Sequence, residues 1–142
     1  MNLQTEHKTV WKISALAGLT FCLISQQSNA TWKVSEENAE SVYFYDVDSI
    51  RTQGSNKTIW TLINYKTEQK NLSGFSYQSV LSKRIFDCTN KKYEVTSYVQ
   101  FERLFGNGKV IGKGRITKNQ YEWTPVVSDS AVEKEWFVTC KK

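Results

Sequence analysis

The chain has one histidine, His7, and only three cysteines, none of them in a C-x-x-C pair. Imidazole is the usual neutral-pH base and a common metal ligand, so acid–base or zinc chemistry built on histidine has little to work with. The glycines of "GNGKVIGKGR" lack the lysine-serine/threonine ending and the strand-to-helix context of a phosphate loop, and read as hairpin turns. No internal repeat, linker or low-complexity segment breaks the chain. No cofactor and no metal site is expected.

Long apolar runs are also missing. The run from Ile13 to Ile24 is twelve residues, short of the twenty or so that cross a bilayer. It follows His7, Lys8 and Lys12 and ends in "SQQSNA", where Ser28 and Ala30 form a small-x-small exit. This is the grammar of a cleaved secretory signal. We place the signal peptide at residues 1–30 and a single domain at residues 31–142, with no transmembrane segment after cleavage. Two alternatives stay open: an uncleaved short anchor, and a lipoprotein acylated at Cys22, although Phe21 stands where a lipobox wants a small residue.

Removing residues 1–30 takes away the only histidine and Cys22, leaving Cys88 and Cys140. In an oxidising compartment two cysteines are most simply a disulfide. Closing a loop of about fifty residues stabilises by roughly 4 kcal/mol in the chain-entropy treatment. A catalytic or metal-binding cysteine lacks a partner base or ligand set.

Pattern reading gives strands and one terminal helix. "TWKV" and "VYFYDV" are short strands, and "TIWTLINYK" has apolar residues on both parities, as in an inner strand. In "FSYQSVLSKRIFDC", Val80, Phe86 and Cys88 share a parity that directs the cysteine to the apolar side. "KYEVTSYVQFE" alternates, with Tyr93, Val95, Val99 and Phe101 on one face. Gly106 to Gly108 signals a hairpin into "KVIGKGRI". Ser130 and Glu133 form a capping-box pattern, after which Val132, Trp136 and Cys140 recur on one helical face. The fold class is α+β: an antiparallel sheet of about five to six strands covered on one side by a carboxy-terminal helix, which the disulfide pins to a strand end.

The succession "VYFYDVDSI", "KTIWTLINY" and "SYQSVLSKRIFDCTNKKYEV", continuing through Gly106, Gly108, Trp123 and Pro125 to Cys140, resembles the surface-adhesin protein E-like family of exported Gram-negative bacterial proteins. The resemblance implies a curved sheet with the helix against it, and an exported, surface-displayed or periplasmic protein. It also implies adhesion to host extracellular-matrix protein as an activity, without transferring any binding residue.

Charge is segregated along the chain. Residues 57–118 hold twelve basic and four acidic side chains, whereas residues 31–56 and 119–142 are net acidic. Lys83, Arg84, Lys91 and Lys92 bracket the Cys88 turn and are the candidate residues for an acidic ligand, whether lipopolysaccharide phosphate, another anionic glycan or an acidic protein patch. The competing reading is that they solvate the outer face and protect an edge; Lys83 and Arg84 have opposite parity and cannot face one surface. Tyrosines such as Tyr77, Tyr93 and Tyr98 among basic residues also suit nucleic acid, but export removes that partner. Asp46 and Asp48 share a strand face as paired carboxylates do, yet "DVDSI" also ends a strand and opens a turn, so no catalytic residue is assigned. The expectation is a non-catalytic binding module, with a periplasmic accessory protein that binds another envelope protein as the alternative.

Overall fold

The structure, a computed structural model, describes residues 30–141. The expected leader and the acylation alternative at Cys22 therefore lie outside the described residues, apart from Ala30. Six strands run in chain order as an antiparallel meander: β1 (Trp32–Glu37), β2 (Ser41–Gln53), β3 (Asn56–Lys70), β4 (Ser76–Asp87), β5 (Lys92–Phe101) and β6 (Val110–Arg115). A two-residue β7 (Thr124–Pro125) pairs with the start of β5, beside the stretch that β6 occupies. The chain then closes with helix α1 (Ala131–Cys140). This is the α+β arrangement expected, and among the described residues no helix is long and apolar enough to cross a membrane.

Each of the five strand pairs in the meander has a register irregularity: Val34/Glu36, Asp46/Arg51, Asn64/Gln69, Lys83/Arg84 and Gln100/Phe101. Extra residues in one strand of a pair bend it and increase its twist, so the sheet curls. The alternation of β3 puts Ile59 toward α1 and Leu62 toward the opposite face, and both are buried. Two faces thus need cover. On one, α1 packs across β1 to β4 over a core of Ile59, Phe86 and Val126, with Tyr93, Val132 and Trp136 around it. On the other, the connection after β5 folds back over the sheet.

That connection is longer than the hairpin signal suggested. Phe101 pairs with Val110, leaving residues 102–109 outside the ladder, and Leu104–Gly106 form a 3-10 turn. Phe105 adopts φ 56°, and its ring centroid lies 5.5 Å from that of Phe44. Its backbone N–H donates to Asn64 Oδ1 at 2.9 Å, and the Ser79 hydroxyl donates to Arg103 O at 2.5 Å while accepting from Gly106 N at 3.0 Å. The glycines act as expected of a turn, with φ +70° and +79° at Gly106 and Gly108.

The helix begins at Ser130, whose hydroxyl accepts from Glu133 N at 3.2 Å. The reciprocal arm of the capping box is displaced: Glu133 Oε2 accepts from Asp129 N at 2.9 Å instead. Val132, Trp136 and Cys140 reach the core as read from their spacing, but the most buried line is Ala131, Glu135 and Thr139. Three contacts run from the β4–β5 hairpin to this helix. Cys88 is disulfide-bonded to Cys140, Arg84 Nη1 pairs with Glu135 Oε2 in the interior, and Lys91 Nζ meets Glu133 Oε1 at 2.5 Å. Burial pushes the Glu135 carboxyl up from its usual value, against the opposing pull of the Arg84 guanidinium and of the Ser35 hydroxyl.

Candidate functional site

Residues directly opposite one another in an antiparallel sheet project from the same face. The ladder therefore assembles a row across five strand boundaries on the face away from α1: Trp32, Asp46, Trp60, Lys83, Ser97 and Arg115. Adjacent strands are about 4.8 Å apart, so Lys83 and Arg115, two strands from each other, stand roughly 10 Å apart. The next row on the same face is mostly apolar, Val34, Phe44, Leu62, Leu81 and Val99, with Lys113 at its β6 end.

The row is polarised. At its β2 end the strand bulges: Asp46 is buried, its Oδ1 accepts from Asp48 N at 3.0 Å, and the Ser49 hydroxyl donates to Asp46 O at 2.6 Å and accepts from Trp60 N at 2.9 Å. Arg51 is committed to the same bulge through bonds of 2.8 and 2.7 Å from Nη1 to the carbonyls of Asp48 and Ile50. Asp46 thus serves a bulge inside β2, so "DVDSI" does not end the strand as its turn-forming residues suggested; the aspartate's local hydrogen bonding is spent within the strand instead. At the β4–β6 end, Lys83, Lys113 and Arg115 form no ion pair among the described residues.

Lys83 stands between two shallow recesses. One, of about 260 Å³, is lined by Asp46, Arg51, Thr58 and Trp60, and the other, of about 320 Å³, by Ser97, Arg115 and Tyr121. An anion-bearing partner laid along the row meets an ammonium and a guanidinium at its β4–β6 end, with Trp60 beside them. Charge complementarity of this kind fixes orientation.

The four cations singled out in the sequence are not brought together. Lys83 faces this open surface. Arg84 faces the helix, buried, with its guanidinium 5.6 Å from the Tyr93 ring centroid. Lys91 is engaged with Glu133 and lies 5.3 Å from the Trp136 ring centroid. Lys92 is exposed at the start of β5, opposite Asp87, whose carboxyl is held below its usual value chiefly by hydrogen bonds from Asn90. Trp60 and Arg115 join Lys83 in their place. Nothing local in the sequence marks that trio, because it exists only once the register of three strand pairs is set.

A sequence profile of the family described as surface-adhesin protein E matches residues 32–141. No protein of curated function matches the chain in sequence. Among solved structures, Haemophilus influenzae protein E superposes with a TM-score of 0.53 at 12% identity, over 79% of this chain and 92% of that one. A second crystal form of that protein gives 0.54 at 12%, over 80% and 97%. Protein E from non-typeable H. influenzae gives 0.51 at 12%, over 81% and 86%. At such identity the likeness is one of fold.

Proposed function

Because the chain belongs to the surface-adhesin protein E family, we propose that it is an exported, non-catalytic binding module of the bacterial envelope. Its ligand is an acidic patch on a host extracellular-matrix protein, taken on the β4–β6 half of the open sheet face. The observation that carries this reading is Lys83 and Arg115, unpaired among the described residues and set in one row with Trp60. Residues 1–30 serve as the leader that exports it.

The test is binding to immobilised extracellular-matrix proteins across a salt series. Affinity falls as ionic strength rises, since exposed charges are screened beyond about a Debye length. The pair Lys83→Glu, Arg115→Glu weakens binding by about tenfold or more, with the thermal midpoint unchanged. Binding that ignores both salt and these substitutions overturns the reading. Arg84 and Lys91 are left intact in the test, because each holds α1.

A second reading rests on the outer edge of β6, which pairs with no strand among the described residues and could take an added strand from an envelope partner. It supports a periplasmic accessory role. A stoichiometric co-purifying periplasmic protein favours that reading. Protease shaving of intact cells separates the two, since only a surface-displayed chain is cut.

A further inference from the structure

Helix α1 leaves one corner of its own face uncovered, where the rows continue onto β5 and β6. There Tyr98 pairs with Gly114 and Gln100 with Gly112. Neither glycine has the positive φ that would demand it; what matters is the missing Cβ. A Cβ on Gly114 would stand 2.4 Å from Tyr98 Cε1, and one on Gly112 2.4 Å from Gln100 Oε1. The ring and the amide therefore lie down across the backbone of β6. The facing wall is the β3–β4 connection, with Asn71 and Phe75, together with Tyr77 at the start of β4, and the groove between them is about 560 Å³, inside the roughly 300–1,000 Å³ span of small-molecule sites.

Several polar groups in this groove are uncommitted. Asn71 Oδ1 is taken by the N–H groups of Ser73 and Phe75 at 3.0 Å each, but its Nδ2 lies 3.7 Å from the Gly112 Cβ position, toward the groove. The Gln100 amide has no hydrogen-bond partner among the described residues. Lys70, which lines the groove, forms no ion pair there either. An aromatic ring laid over a strand glycine is also a way of shielding bare backbone. That accounts for Tyr98 but not for an unbonded amide over a second glycine, nor for an ammonium group beside it.

A flat, accessible ring beside planar amides suits a ligand with one apolar face and a rim of hydroxyls, and the flanking Lys70 selects negative charge. We propose that this groove binds a saccharide chain bearing carboxylate or sulfate groups, stacked on Tyr98, hydrogen-bonded by Gln100 and Asn71, and flanked by Lys70. The site is separate from the Lys83–Arg115 row and does not depend on it.

Calorimetric titration with three probes tests this: a heparin-derived hexasaccharide, hexagalacturonate and neutral maltohexaose. At least one charged probe binds about tenfold or more tightly than the neutral one, and which one does so tells sulfate from carboxylate. Gly114→Val places side-chain atoms where the ring lies, in a strand that favours β-branched residues, and weakens binding at least about tenfold. Gln100→Ala, which adds no bulk, does the same and keeps the test alive if the valine disturbs folding. The pair Lys83→Glu, Arg115→Glu leaves this binding unchanged. Absence of binding, equal affinity for the neutral probe, or loss only in the Lys83/Arg115 variant each overturns the proposal.

Discussion

Lys83 and Arg84 are neighbours in the chain and point opposite ways, because successive strand side chains alternate. Arg84 enters the interior and meets Glu135, which is 1% exposed. Removing one partner of a buried pair strands the other charge, so Arg84→Met should cost about 3–5 kcal/mol, whereas Arg84→Met with Glu135→Leu should recover most of it. Urea unfolding of the two variants checks this. The paired carboxylates of the helix differ in sign with pH. Hydrogen bonds from Lys91 and from Asp129 N hold Glu133 below its usual 4.5, so its contribution is complete above that value and is lost as pH falls through the lower folded one. Thermal midpoints of wild type and Glu133→Gln should differ at pH 7 and converge well below about pH 4.5. Burial shifts Glu135 the other way, so its effect on stability is unfavourable once pH rises past its folded value. The sequence showed that only one of Lys83 and Arg84 could face outward. It carried no sign of which, because the deciding carboxylate is 51 residues away.

At the scale of elements, α1 is held at three heights by one hairpin: its first turn through Lys91, its middle through Arg84 and its end through Cys88. Replacing both cysteines by alanine should lower stability by up to about 4 kcal/mol. The loss should fall unevenly along the helix. Amide exchange should rise in the last turn, near Thr139 and Cys140, while the turn containing Glu133 and Glu135 stays protected by its ion pairs. The strands were legible from alternation, and the cysteine bridge from the two cysteines of residues 31–142. The 3-10 turn after β5 was not, because Phe105 is placed by Asn64, 41 residues away, and no local pattern encodes that. The inner line of α1 was missed for a related reason: Ala131, Glu135 and Thr139 are too mixed in polarity to stand out as a buried stripe.

For the molecule as a whole, the segregated charge of residues 57–118 was visible in the sequence, but its distribution over two faces was not. The meander sends Arg84 inward and spends Lys91 on the helix, leaving Lys83, Lys113 and Arg115 as the open basic end. The fold could be anticipated because each element carries its own period, whereas the proposed binding surface is a product of register. The position of the disulfide has a mechanical consequence. A pull on the chain beyond Cys140 bypasses the helix and enters the sheet at Cys88, between β4 and β5, well inside the meander. Backbone tension is then borne by a covalent bond and by two long central strands, while the helical turns and the core beneath them stay unloaded. A protein that grips a surface under flow would need such a force path, and chemical reduction would reroute the same load through the helix, making it the first part to unravel.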